Sequence, residues 1–239
     1  TSGSREHAGK LFKLALWQKA LIECTFGITH KDTGFRKFNE ILLVVGRKNG
    51  KSTFMAAIAL YMLIGDGESS PEVYCAATTR EQARIIFEES LKMIQMSPIL
   101  DQVIKRRRSD LYHAASFGSF KPVSSDAGTL DGLNPSLGIL DEIHAYKDTL
   151  LYDVMLSALG ARDEQMIFTV KIKLGQGLGA GLPLMIFMIT TAGLVRDSTY
   201  DQKVEYAETL LEREEPLGKF LPFIYDIDDE KEYDDLNML

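Results

Sequence analysis

Val44 to Thr53 reads VVGRKNGKST, and the fold turns on how that stretch is read. It ends as a phosphate-binding loop ends, with Gly50, Lys51 and Ser52, yet the usual spacing G-x-x-x-x-G-K-[ST] is not met. Gly46 stands four positions before Gly50, so the slot of the first glycine falls on Val45. The flanks give the turn its meaning. The unbroken apolar run Ile41 to Val45 suits a strand buried on both faces, and Ser52 to Ile64 is predicted as a helix. Backbone N–H groups of the turn, Gly46, Arg47, Lys48, Asn49 and Gly50, and of the first helical residues through Thr53 would then face a phosphate chain. In that setting Gly50 permits close backbone approach, Lys51 neutralises β/γ oxygens, and the Ser52 hydroxyl binds Mg²⁺.

Working outward, an amphipathic helix is predicted around Leu14 to Glu23. A second buried strand follows at Glu72 to Ala77 (EVYCAA), leading through Thr78 and Thr79 into a helix Arg80 to Gln95. After a polar middle, Leu137 to Leu140 is a third strand, Leu151 to Leu159 a helix, and Met185 to Ile189 (MIFMI) a further strand. Strands alternating with helices predict an α/β chain with a mainly parallel central sheet between two helical layers, the three-layer P-loop NTPase arrangement. Met166 to Val170 (MIFTV) nearly repeats MIFMI across the Gly-rich connector Lys171 to Leu184. A hairpin or loop insertion is one reading, chance similarity of two apolar strands the other.

Length and composition bound the rest. A chain of 239 residues can bury one sizeable core, and 45% apolar with 26% charged residues is ordinary for a globular protein. Cys24 and Cys75 have neither disulfide-framework nor zinc spacing. The apolar run Phe54 to Ile64 falls short of the roughly 20 residues that a membrane helix needs, and the polar start TSGSREHAGK has no secretory pattern. A net charge of −7 argues against indiscriminate coating of nucleic acid, while leaving room for a local basic track. Lys105 to Arg108 (KRRR) is such a track: it either contacts a DNA backbone or is a solvated run of cations.

A second constellation completes the chemistry. Asp141 and Glu142 follow the apolar strand SLGIL directly, and in a parallel sheet this strand end can meet the end of the Ile41 to Val45 strand at one edge. Asp141 would hold the Mg²⁺ shell, and Glu142 would orient and deprotonate an attacking water. The plain alternative is a polar cap. Thr190 and Thr191, with Gly193 beyond them, follow MIFMI and either sense a γ-phosphate or make an ordinary turn. His113 and His144 lack metal-ligand spacing.

Taken in order, LALWQKA, VVGRKNGKST, CAATTREQARIIFEES, SSDAGTLDGLNPSLGILDEIHA, LGAR and ITTAG resemble the large terminase subunit of tailed double-stranded DNA phages, over roughly residues 12–225. In that family a shifted P-loop with an arginine after its first small residue is normal, so GRKNGKS matches the family's variant Walker A motif. The resemblance implies an ATPase that drives double-stranded DNA into a preformed capsid in the host cytoplasm. Its cofactors would be ATP and Mg²⁺. Its partners would be DNA, a small terminase subunit, the portal protein and further copies in a ring. By the same matching Gln18 would read adenine, Trp17 would pack the base pocket, and Arg47 would supply extra charge at the phosphates. Thr190, Thr191 and Gly193 match the motif that couples hydrolysis to movement. Arg162 is a candidate phosphate-sensing or ring-neighbour finger, with a helix-terminal arginine as the alternative.

Residues 1–225 are therefore expected to form the motor domain and 226–239 an acidic linker toward a nuclease domain that this chain lacks. No nuclease activity is expected, because the crowded acidic run from Asp226 reads as a solvated linker. The connector Lys171 to Leu184 is longer than the family pattern implies. Two other functions compete: a helicase-like translocating ATPase, and a nucleotide-binding assembly module with negligible turnover on its own.

Overall fold

The computed structural model describes residues 13–124, 134–146, 149–157, 184–191, 199–213 and 217–225. Arg162, Gly193, the MIFTV strand, the connector up to residue 183 and the acidic tail lie outside the described residues.

In chain order the elements are α1 (Leu16–Ile22), β1 (Glu40–Val45), α2 (Lys51–Ile64), β2 (Glu72–Ala77), α3 (Arg80–Met96) and α4 (Pro98–Val103). Then come β3 (Ile104–Arg106), β4 (Leu111–His113), β5 (Gly118–Ser124), β6 (Leu137–Asp141), α5 (residues 150–157), β7 (Met185–Thr190), α6 (Thr199–Glu212) and β8 (Phe220–Tyr225). The strands form one sheet in the order β3-β4-β5-β2-β6-β7-β1-β8. Every pairing is parallel except β3 with β4 and β4 with β5. The predicted fold class is the observed one.

Alternation along the strands divides the core in two. Ile41, Leu43 and Val45 of β1 point to the face covered by α2 and α3, beside Phe54, Met55, Ile86 and Phe87. Leu42 and Val44 point to the other face, toward Tyr152 and Met155 of α5 and Ala207 and Leu210 of α6. Both faces are covered, which is why β1 reads as an unbroken apolar run rather than an alternating one. Gly138 in β6 serves this packing: a Cβ there would lie 3.1 Å from Met155 Sδ. No helix among the described residues is long and apolar enough to cross a membrane.

Several boundaries and four strands differ from expectation. The first helix stops at Ile22 and continues as a π-turn, Glu23–Gly27, rather than ending at Glu23. The P-loop helix starts at Lys51, not Ser52, and β1 at Glu40, not Ile41. The polar middle holds β3, β4 and β5, and β8 follows α6. Prolines hid two of them, since proline removes a ladder donor and reads as a strand breaker. Pro222 is tolerated because β8 is the edge strand. Pro122 is tolerated because β4 pairs with β5 only over Gly118 to Phe120, which leaves Pro122 on a locally open edge.

Candidate active site

β7 lies between β1 and β6, and the three strands end together. Val44 is in register with Thr190, and Asp141 with Ile189. The Gly-Lys turn, the acidic pair and the two threonines, far apart in sequence, therefore meet at the carboxyl edge of the sheet, where open parallel sheets bind ligands.

The turn from Gly46 to Gly50 combines two left-handed residues, Lys48 (φ 69°) and Gly50 (φ 72°). Such conformations beside right-handed neighbours turn successive N–H groups toward one concavity, the geometry of an anion nest. Asn49 Nδ2 donates to Gly46 O at 3.3 Å and tightens the turn. Gly50 is the N-cap of α2, and Phe54 N donates to its carbonyl at 2.9 Å. Arg47 and Lys48 are exposed, whereas Lys51, in the first turn, is buried.

Lys51 Nζ lies 2.8 Å from Glu142 Oε1 and 3.4 Å from Asp141 Oδ1. Asp141 is the more deeply buried carboxylate, and Oδ1 also accepts from Glu142 N at 3.0 Å. Burial pushes the Asp141 carboxyl above the usual range despite the nearby ammonium. Burial also opposes ionisation of Glu142, but the closer Lys51, the Thr191 N–H and His144 outweigh it and hold that carboxyl below the usual range. One ammonium thus serves two adjacent carboxylates unequally. Glu142 itself has a left-handed backbone (φ 52°, ψ 52°) as it leaves β6 for a short 3₁₀ turn, Ile143–Ala145. A non-glycine residue held there costs of order 1–3 kcal/mol and persists only where the surroundings determine it. Tyr146, whose hydroxyl donates to Ala76 O at 3.0 Å, pins the end of this turn to β2.

Thr190 and Thr191 are buried, and Thr191 N and Oγ1 approach Glu142 Oε2 at 3.4 and 3.5 Å. His144 Nδ1 sits 2.6 Å from Thr190 Oγ1 and 3.2 Å from Glu142 Oε2. Sequence reasoning considered this histidine only as a metal ligand. Its position three residues past Asp141 was the one available signal, and the interaction that matters crosses 46 residues.

Trp17 and Gln18 lie apart from the acidic pair, on the β8 side of β1. Trp17 packs edge-on against Phe54 (centroids 5.4 Å) and near-parallel to Tyr225 (6.4 Å, 22°). Tyr225 is in register with Val45, immediately before the turn, so an aromatic wall that sequence reading credited to Trp17 alone flanks the loop. Gln18 is buried, and its Oε1 accepts from Ala15 N at 2.9 Å as a cap of α1.

Ser52 in the first turn of α2 and Asp141 at the end of β6 each carry an oxygen of the kind that a hard cation takes. No group of three or more His, Cys, Asp or Glu able to hold a metal occurs among the described residues. That donor set fits Mg²⁺, which is commonly held by one or two protein oxygens with phosphates and waters completing its shell.

A family model described as "Terminase large subunit, ATPase domain" matches residues 16–173. Among curated relatives, the terminase large subunit of Lactococcus phage SK1 is 29% identical over 208 residues, covering 82% of this chain and 35% of the relative. That of Enterobacteria phage HK97 is 30% identical over 135 residues, covering 54% of this chain and 27% of the relative. The chain thus spans about a third of the length of the Lactococcus relative. Among solved structures, the HK97 large terminase superposes with TM-score 0.71 at 22% identity, covering 93% of this chain and 41% of that one. The large terminase of the thermophilic bacteriophage D6E, in complex with ADP, gives 0.54 at 12% identity, covering 92% of this chain and 47% of that one. At those identities the superpositions speak for the fold, and the family match carries the rest: this chain belongs to the ATPase-domain family of phage terminase large subunits.

Proposed function

We propose that this domain hydrolyses ATP with Mg²⁺ and couples that turnover to movement of double-stranded DNA into a procapsid. The observation that carries the reading is the meeting of Lys51, Asp141 and Glu142 at one strand edge, with Lys51 Nζ 2.8 Å from Glu142 Oε1. In this account the turn from Gly46 to Ser52 cradles the phosphates. Lys51 leaves Glu142 for the β/γ oxygens, and Arg47 adds positive charge from the exposed side. Ser52 and Asp141 would hold Mg²⁺, which when bound supplies charge neutralisation and polarises phosphoryl oxygens. Released from Lys51, Glu142 accepts a proton from the attacking water. The Trp17–Tyr225 wall and Gln18 would receive the base. Thr190 at the end of β7 and Thr191 beside Glu142 would pass the state of the site to the rest of the sheet, and Arg162 remains a candidate for charge supplied at the phosphates.

DNA is the proposed polyanionic partner, with the Lys105 to Arg108 ribbon as its contact. All four side chains are exposed, and Arg107 stacks on Tyr112 at 3.4 Å from the ring centroid while reaching Asp110 at 3.7 Å. Strand polarity puts the end of β3 at the same edge as the P-loop, but six strand spacings away, roughly 29 Å at about 4.8 Å each. That is too far for these cations to touch the same subunit's nucleotide. A small terminase subunit, a portal protein, a ring of copies and the cytoplasm of an infected host complete the reading.

The test is Mg²⁺-dependent hydrolysis with and without duplex DNA, beside Lys51→Ala and Glu142→Gln. Turnover lost in both variants, with ATP still bound by Glu142→Gln, supports the reading; absence of ATP binding by the wild type would sink it. Changing all four of Lys105 to Arg108 to Gln should flatten the salt dependence of DNA affinity by about 0.9 in logarithmic slope for each phosphate no longer neutralised. One observation favours a second reading, an assembly module with negligible turnover in isolation: Lys51 is engaged by Glu142 and must be displaced before the site can act. ATP binding without hydrolysis would select it.

A further inference from the structure

His144 lies at this edge without a part in the scheme above. Its ring is mostly buried, and Nδ1 faces two oxygens, Thr190 Oγ1 at 2.6 Å and Glu142 Oε2 at 3.2 Å. The Thr190 hydroxyl has a single hydrogen, which it donates to Thr191 O at 3.0 Å. With its hydrogen so placed, the oxygen is left to accept from His144. An ionised carboxylate also only accepts. The carboxylate requires the proton on Nδ1, and the hydroxyl, able to accept, is compatible with it. The other donors to Glu142 Oε2, Thr191 N and Oγ1, stand at 3.4 and 3.5 Å, where hydrogen bonds are long and weak. Among the described residues, His144 is the closest donor to that oxygen.

We propose that His144 is a positioning residue, whose Nδ1–H is shared between Glu142 Oε2 and Thr190 Oγ1 and ties the aim of the carboxylate to the carboxyl end of β7. The inference rests on the reading that Glu142 acts on the attacking water. Lys51 holds Oε1 and His144 holds Oε2, so a phosphate that draws Lys51 away leaves Oε1 open to a water proton while Oε2 stays anchored. A shift of Thr190 relative to β6 changes the same shared donor. The position of the strand and the orientation of the base then change together, a physical link between the site and the sheet.

The experiment compares His144→Ala, His144→Asn, His144→Gln and Thr190→Val by steady-state hydrolysis and ATP binding. His144→Ala should lower kcat about 10- to 100-fold, as small misplacement of a reacting group does, with KM for ATP changed by no more than about twofold. His144→Asn should recover most of the loss, because its amide nitrogen falls where Nδ1 stands; His144→Gln, which reaches the Nε2 position, should not. Thr190→Val should lower kcat in the same sense, and combined with His144→Ala should add little. Equal behaviour of Asn and Gln, or a loss carried by KM, would overturn the proposal. A wild type that binds ATP without turning it over would instead refute the hydrolysis reading. The nitrogen-15 NMR spectrum of His144 in the whole chain then decides separately: a proton on Nδ1 is expected, and a bare Nδ1 with the proton on Nε2 overturns the assignment whatever the turnover.

Discussion

Two lysine–carboxylate clusters stand at opposite ends of β1. At the start of the strand, Lys203 of α6 meets Glu40 Oε1 at 2.5 Å and Tyr152 OH at 2.6 Å, and the Tyr152 hydroxyl reaches Glu40 at 3.1 Å. Beyond its end, Lys51 meets Glu142 and Asp141. The first cluster is balanced: one ammonium, one carboxylate, and a phenol kept protonated by burial and by the Glu40 charge. It joins α5 and α6 to the sheet, and the Lys203 ammonium also lies 4.5 Å from the Tyr152 ring centroid. The second cluster is unbalanced, with two adjacent carboxylates around one ammonium and a left-handed backbone at Glu142. Similar groups thus close a structure at one end and leave a site ready to rearrange at the other. Charge stoichiometry and backbone strain make the difference, not residue type.

Matched substitutions can break this contrast. The largest expected effect is that of Glu142→Gln, which should cut turnover by about 10²- to 10⁴-fold, the range for loss of a general base. Its melting temperature should fall only slightly, because the lost ion pair with Lys51 is partly offset by relief of like-charge crowding against Asp141; a drop as large as that of Glu40→Gln would mean the upper cluster is structural after all. Lys51→Ala should lower turnover about 10²- to 10³-fold through loss of charge stabilisation, read in the same assay together with weakened nucleotide binding. At the other end Glu40→Gln removes the counter-charge of Lys203, which is mostly buried. It should cost about 2 kcal/mol, below the roughly 3–5 kcal/mol of a fully buried broken pair because both groups keep some solvent. That corresponds to a melting temperature lower by roughly 4–8 °C, with kcat unchanged below the transition. The smallest effect is that of Gly138→Ala, where the flexible Met155 thioether must give way by a few tenths of an ångström, at about 1 kcal/mol. Calorimetry checks it, and no change would show that α5 packs less tightly on β6 than the close approach implies.

How much was legible divides along the same line. β1, β2, β6 and β7 were readable because strands buried on both faces carry apolar runs whatever they pair with. The P-loop was readable from local chemistry: glycine beside a lysine, between such a strand and a helix. Asp141 and Glu142 were readable as a polar pair ending a strand. β3 and β4 are three residues each, too short for periodicity to register. The role of His144 was not readable because its partner Thr190 is 46 positions away, and the Lys203–Glu40 pair is separated by 163.

Sequence alone determined the chain's class, the buried strands and the candidate phosphate loop, because apolar periodicity and turn chemistry act within a few residues. The tertiary structure alone decided that β7 separates β1 from β6, that Lys51 lies closer to Glu142 than to Asp141, and that His144 bridges Glu142 to Thr190. Those outcomes depend on strand order and register, which bring distant side chains within hydrogen-bond range. No local pattern in the chain encodes which of two neighbouring carboxylates will stand closer to the ammonium.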